Sequence, residues 1–492
     1  MYTSLINVAL TLAVSVVAAG CTQAPWFPVQ PVRSGEREIA FDMDGNGRDD
    51  YWQRLDENGQ KTELRFDTTG DGQVDETVRP RDLAPDQCVH AVLVLDGVPF
   101  DVVDEMYRQG WFRLFPPPAR VISVFPAMTD LALTRVFTDQ ACPGYEALYF
   151  DRRKNAPSGG TSVYLSGANA PWLTAMDYRC SLWLDAKSYL DPKGLWRHEL
   201  NGIRRAIRSC NSQTVRAYSV STAGLATRGG RDAIVEYLKD VDNLCEQMTY
   251  ERRGQIRFTL LADHGHDLKP ATQIDLRQRL ESGGYRVSRQ LNDHRDVCVP
   301  RYGLVSCAVL HTRDPQGVAE ALLSEPAADL IMYPVSAEPS GGVIMVRSGR
   351  QIAHIRRTRD GFIYEASEGD PLRLAPILER LRASGRIAPD GSVSDRDWLT
   401  ATADHIYPDP LWRIWLAFNG LVHNSADVIV SLREGSFCGS GFFAAMVDVA
   451  STHGALTHRG STTFALSNHT SLPPLLRVQD LGRYVRHDLP AK

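Results

Sequence analysis

The sequence contains no Cys-x-x-Cys pair; its nine cysteines stand apart from one another. A zinc ribbon, which needs thiolates at that close spacing, is therefore excluded. Positive charge is not in surplus either: 54 basic residues face 59 acidic ones, for a formal net charge of −5. Such a balance points away from nucleic acid as a partner. What remains is ordinary globular material, 43% hydrophobic and 23% charged. A chain of 492 residues has room for more than one domain and for a large buried core.

The N-terminus carries an apolar run, "LINVALTLAVSVVAAGC", of signal-peptide length. Its end, Ala18-Ala19-Gly20-Cys21, resembles the lipobox of bacterial lipoproteins, in which the cysteine is acylated and becomes the mature N-terminus. Two features depart from that pattern: no Lys or Arg precedes the run, and Ala18 stands where Leu is usual. A plain signal peptide or a membrane helix is the alternative. The resemblance implies a leader over residues 1–21, a lipid anchor to the membrane at Cys21, and a place in the bacterial cell envelope, on the periplasmic side or at the outer membrane. Residues 22–36 are Pro-rich and polar and suit a tether. Without Cys21, eight cysteines are left: Cys88, Cys142, Cys180, Cys210, Cys245, Cys298, Cys307 and Cys438. An even number in an exported chain predicts disulfides, and Cys298 with Cys307 would close a small loop.

Residues 37–84 form a separate acidic module. "DMDGNGRDD" offers Asp42, Asp44, Asn46 and Asp50; "DTTGDGQVD" offers Asp67, Thr69, Asp71 and Asp75. Both place oxygen side chains at positions 1, 3, 5 and 9 with glycines at 4 and 6, a pattern that suits Ca²⁺ in a tightly turned loop. Position 12 is Gln53 or Val78 rather than Glu, so these are not full EF-hands. They resemble the shorter calcium loops of dockerin or thrombospondin-type repeats. The alternative is a solvated acidic hairpin without an ion, and the Asn-Gly at 58–59 is a turn signal between two alternating stretches.

From residue 85 to 490 strand-like and helix-like stretches alternate. Strands are predicted at 91–97, in "ARVISVF", in "RFTLLADHG" and at 426–432. The expected fold class is α/β, with a mostly parallel central sheet flanked by helices. Ligands in such sheets bind at the carboxyl ends of strands, where Asp96 and Asp263 fall. The ordered pieces "LVLDGVPFD", "VFPAMTDLALT", "LLADHGHD" and "STHGALTHRGST" resemble the alkaline phosphatase superfamily. The likeness is to its type I phosphodiesterase/nucleotide pyrophosphatase branch, over residues 88–269 and 425–480.

That resemblance implies a metal-dependent hydrolase of phosphodiesters or pyrophosphates, acting on a small-molecule or lipid phosphate ester. One divalent ion, expected to be Zn²⁺, would be held by Asp96, Asp263, His264 and the nucleophile Thr129. A second ion in the family needs an Asp, a His four residues later and a late His. Only the last, His453, is matched, because "Ser221-Thr222-Ala223-Gly224-Leu225" stands where the pair is expected. Three readings follow. The enzyme works with one ion, leaving His453 as a proton donor or transition-state contact; or His266, Asp267 or His458 fills a second site; or the chain is an inactive binding lipoprotein on a phosphatase-like fold, with the acidic repeats as its calcium-ordered stalk. A sulfatase is disfavoured, since neither Cys-x-Pro-x-Arg nor Ser-x-Pro-x-Arg occurs at the nucleophile.

Residues 272–424 read as an insertion forming a cap beside the site. Within it, "DPLWRIWLAFNGLV" reads as core packing, with a pocket wall as the alternative. His266 and Asp267 otherwise cap the next segment. His90 reads as structural, and His354 and His469 receive no role. Tyr145 and Arg152 are possible pocket residues.

Overall fold

A computed structural model describes residues 31–181, 184, 191–335, 342–440 and 448–486. The apolar leader and Cys21 lie outside the described residues. Among the described residues no helix is long and apolar enough to cross a membrane.

The acidic module is an antiparallel meander of five strands in sequence order: β1 (Arg33–Ser34), β2 (Glu38–Phe41), β3 (Tyr51–Leu55), β4 (Lys61–Phe66) and β5 (Glu76–Val78). The two acidic loops are the β2–β3 and β4–β5 connections. The likeness to dockerin-type repeats finds no support in this all-strand arrangement. In each loop the leading aspartate accepts its own backbone: Asp42 from Gly45 and Gly47 at 2.7 and 2.8 Å, Asp67 from Gly70 and Gly72 at 2.6 and 2.5 Å.

Behind the module the chain enters a six-stranded sheet. Its strands are β6 (Val89–Leu95), β7 (Ala119–Ile122), β8 (Thr214–Ser219), β9 (Ile256–Leu261) and two from the C-terminal end, with helices α1 (Thr129–Phe137), α2 (Pro192–Arg208) and α3 (Ser221–Glu251) between them. A second, nine-stranded sheet is built from residues 286–432 and includes β10 (Cys307–Thr312), β11 (Ala328–Pro334) and β12 (Val428–Leu432). The first sheet closes with β13 (Thr462–Ser467) and β14 (Leu475–Arg477), giving the order β8-β6-β9-β13-β7-β14. All its pairings are parallel except those of β13, so the mixed α/β architecture expected from the alternation is present.

The reason is visible in β6. Its last five residues are all buried, with Val92 and Val94 facing one apolar core and Ala91, Leu93 and Leu95 the other. A strand covered on both faces reads as a continuous apolar run. The first of these cores continues into the second sheet through Val309, Leu330 and Ile429. The strand expected at 426–432 is therefore real but belongs elsewhere: β12 lies between β10 and β11, antiparallel to both. Five buried residues in a row look the same in either sheet. The aromatic stretch near 410 is a buried helix, Pro410–Phe418, whose Leu411, Trp412 and Ile414 pack in the core as the core reading expected.

The expected disulfides find no support: among the described residues no bridge joins the cysteines from Cys88 to Cys438. Cys298 pairs across its ladder with His311, four residues from Cys307 along β10. That is about 13 Å at strand rise, whereas a disulfide needs Cα atoms within about 7 Å.

The acidic module is docked rather than extended as a stalk. Phe41, Tyr51 and Phe66 stack in its core, and Tyr250 of α3 meets Tyr51 edge-on at 5.0 Å. Lys61 pairs with Glu246 of α3, which also accepts from Gln53 at 2.7 Å. Burial, with Glu246 nearby, pushes Asp242 up to about 7. Removing one partner of a buried ion pair costs more than the pair contributes. Lys61→Met should thus lower stability by about 3 kcal/mol in urea unfolding, and adding Glu246→Leu should restore most of the loss.

Candidate active site

Asp96 directly follows β6, and Asp263 stands two residues beyond β9. These strands are parallel neighbours, so both carboxylates emerge at one carboxyl edge of the sheet. After Asp96 the chain turns sharply, and the Gly97 N–H donates to Asp263 Oδ1 at 2.9 Å. Gly97 has φ +68°, and a Cβ there would lie 2.7 Å from the His266 ring. Both the backbone and the contact require glycine.

Thr129 is the first residue of α1. Its Oγ1 lies 3.3 Å from Asp96 Oδ1 and 3.3 Å from His264 Nε2. His264 Nε2 lies 3.4 Å from Asp263 Oδ2 and 3.7 Å from Asp96 Oδ1. The four residues expected around the first ion thus come together from three segments of the chain. Asp96, Asp263 and His264 offer ligand atoms all within 4.8 Å of one another.

The donor set fits a divalent cation. His264 Nδ1 lies 2.9 Å from the Gly265 carbonyl, so that nitrogen carries the hydrogen and Nε2 turns its lone pair to the carboxylates. Asp263 Oδ2 is buried without a hydrogen-bond donor. A bare buried carboxylate oxygen is costly unless a cation sits against it. Burial also raises the Asp263 pKa and lowers that of His264 to about 4. Carboxylate, imidazole and hydroxyl donors match zinc or a similar ion.

Ser221 and Leu225, which stand where the resemblance places a second ion's ligand pair, are both buried. Leu225 packs in the apolar core beneath the sheet. Ser221 begins α3, where its N–H donates to Glu199 Oε2 at 3.0 Å; Glu199 also accepts from Ser219 Oγ at 2.6 Å and Val220 N at 3.1 Å. A buried carboxylate from α2 therefore meets the positive end of α3. His453 stacks on His264 with ring centroids 4.0 Å apart, and its Nδ1 lies 2.8 Å from the Ala127 carbonyl. It stands outside the three-residue ligand group. Burial, with His264 beside it, lowers His453 to about 3.

Among the described residues His266, Asp267 and His458 belong to no group of three possible ligands. His266 Nδ1 contacts Ser451 Oγ at 3.1 Å, and Asp267 accepts from Thr452 N at 2.9 Å and Ser451 Oγ at 3.1 Å. The pair fastens the loop that carries His453 rather than simply capping the following segment. His458 Nδ1 contacts Thr462 Oγ1 at 3.2 Å within its own helical turn.

A cavity of about 230 Å³ opens beside these groups, lined by Asp96, Thr129, His453 and, further out, Tyr145, Tyr164, Trp172, Arg179 and Tyr302. Arg152 is not part of it and pairs with Asp427 at 2.6 Å. Sequence reasoning missed several residues here. The Tyr218 hydroxyl donates to Asp96 Oδ2. Asp130 accepts from Trp172 Nε1 at 3.0 Å and from Asn169, and burial pushes it up to about 6. Burial likewise pushes Glu146 up to about 7, while it accepts from Gly303 N at 2.6 Å. Arg413 donates to Val124 O at 3.1 Å, Leu456 O at 3.0 Å and Ser461 Oγ at 2.6 Å, tying the loop before Thr129 to the His453 loop. A lone charge inside "PLWRIWLAF" was the available signal for it.

No family model and no curated protein matches the chain. Among solved structures, human ectonucleotide pyrophosphatase/phosphodiesterase 5 aligns with a TM-score of 0.44 at 12% identity, over 81% of this chain and 94% of that one. The murine protein of the same name aligns at 0.45 and 11%, over 82% and 96%. An inactive murine variant in complex with AMP aligns at 0.44 and 10%, also over 82% and 96%.

The Gly97 turn can be tested directly. Gly97→Ala forces a side chain into the left-handed region and against His266. It should cost about 1–2 kcal/mol from the backbone alone, and metal content measured after dialysis should fall.

Proposed function

We propose that this chain is a metal-dependent hydrolase of phosphate esters, of the phosphodiester or pyrophosphate kind, with Thr129 as nucleophile. The observation that carries this reading is the meeting of Thr129 Oγ1 with the Asp96, Asp263 and His264 ligand group. A divalent ion there would lower the hydroxyl pKa and neutralise charge on the phosphoryl oxygens.

The chain's own residues supply the rest. Thr129 Oγ1 forms a bond to phosphorus as the bond to the leaving oxygen breaks, and water then cleaves the threonine ester. The α1 N-terminus, where Thr129 stands, favours the developing negative charge. Tyr218 holds Asp96 in orientation through its hydroxyl. Arg179 brings a guanidinium to the cavity wall, suited to a phosphate oxygen. His453, kept neutral by burial and donating Nδ1–H to the Ala127 carbonyl, turns the lone pair of Nε2 outward, so it accepts a hydrogen bond from a water or substrate hydroxyl rather than donating to a phosphoryl oxygen. Leu225 and the Glu199–Ser221 contact support one ion in this cavity rather than two.

Export and attachment through Cys21 to a bacterial envelope membrane belong to the same proposal and rest on the leader alone. The boundaries of leader, tether, acidic module and cap are part of the proposal too and rest on the sequence pattern. Calcium in the first acidic loop is supported by Asp42, Asp44 and Asp50, whose ligand oxygens lie within 4.8 Å of one another. The second loop gathers no such group of three acidic residues among the described residues.

Two experiments check this. Thr129→Ala should reduce cleavage of a nitrophenyl phosphodiester by roughly a thousandfold or more while retaining the ion, and Asp263→Asn should lose both. A parent protein with no metal and no turnover on any ester would favour the inactive, ligand-binding reading. For the loop, calcium chelation should speed proteolysis between residues 42 and 50; equal cleavage with and without calcium would leave only an ion-free acidic hairpin.

A further inference from the structure

His90, read above as structural, and His469, left without a role, meet across 379 residues. His90 is the second residue of β6, about 20 Å of strand before Asp96. His469 lies just beyond β13. Their Nε2 atoms are 3.1 Å apart. Thr259, buried on β9, places its Oγ1 2.9 Å from His90 Nε2 and 3.3 Å from His469 Nε2. Three donor atoms thus form a nearly equilateral triangle at the opposite end of the sheet from the cavity.

A chain of ordinary hydrogen bonds explains this poorly. An imidazole Nε2 gives or takes a proton along one in-plane direction, yet each of these nitrogens has two polar neighbours at contact distance. The triangle does match a shared cation. An ion about 2.0–2.1 Å from each donor sets them roughly 2.9–3.4 Å apart for angles between octahedral and tetrahedral. His469 Nδ1 is engaged by Thr470 Oγ1 at 2.9 Å, which orients the ring with Nε2 inward, as in metal-bound histidines.

We propose that His90, His469 and Thr259 form a structural transition-metal site, separate from the ion beside Thr129. Two imidazoles and a hydroxyl select Zn²⁺, Co²⁺, Ni²⁺ or Cu²⁺ over Ca²⁺ or Mg²⁺, with water completing the shell. The ion would staple β6, the strand that carries Asp96, to β9 and to the segment after β13. It stabilises the fold by mass action, since the three residues are brought together only in the native chain.

The test uses the full chain, stripped with chelator and titrated with Co²⁺, with visible absorption and thermal melting as readouts. The site predicts one ion that survives Asp263→Asn and is lost in His469→Gln, with the Co²⁺ affinity of that ion falling at least about tenfold. His469→Gln should keep its turnover and its circular dichroism but lose part of the Co²⁺-induced rise in melting temperature. His90→Gln should do the same, and if it fails to fold, His469→Gln decides alone. An ion lost in His469→Gln supports the site even where the parent has no esterase activity. Identical Co²⁺ stoichiometry and melting shift in His469→Gln and parent would overturn it, leaving a hydrogen-bonded triad.

Discussion

Two carboxylates, Asp96 and Asp263, are buried side by side at the ends of neighbouring strands, and this end of the sheet is arranged around that fact. Like charges in a low-dielectric site repel, so each oxygen needs a compensating partner. Gly97 N–H serves Asp263 Oδ1, Tyr218 serves Asp96 Oδ2, and Thr129 reaches Asp96. Asp263 Oδ2 is the oxygen left for a cation, with His264 Nε2 beside it. The same demand explains why the turn after β6 is glycine.

Holding that pair in register requires the loops around it to be fixed. Asp267 and His266 fasten the segment 451–453, while Arg413 draws together Val124, Leu456 and Ser461. Arg413 is fully buried and makes these contacts from the middle of an apolar helix. The second sheet is thus more than a cover. The core it shares with the first sheet, together with Arg413 on the helix Pro410–Phe418, supports both the loop before Thr129 and the loop of His453.

On the far side, the acidic module meets α3 through Tyr250 and Glu246. The first turn of α3 is the segment where a second ion's ligands were expected and where Glu199 accepts backbone N–H groups instead. One helix therefore connects the acidic module with the edge of the cavity, broken at Gly230 where φ is +62°.

The local patterns were legible without any coordinates. Apolar runs that stop at Asp96 and Asp263, and a threonine opening a helix, carry short-range chemistry: strand ends and helix starts are written in neighbouring residues. The α/β alternation was read from them; the choice of Asp96, Thr129, Asp263 and His264 as ion ligands, and of Ser221 and Leu225 as replaced ones, came from the resemblance of whole motifs and not from local pattern. What the sequence could not assign was anything decided by long-range packing. β12 has the same buried run in either sheet, and only pairing with β10 and β11 gives it a place. Eight cysteines suggested bridges, but ladder register separates Cys298 from Cys307. Tyr218, Arg413 and the His90–His469 pair gain their roles from contacts spanning 122, 289 and 379 residues. Hydrogen bonds across such distances leave no periodic trace, because their geometry is set by the packed sheet and not by spacing along the chain.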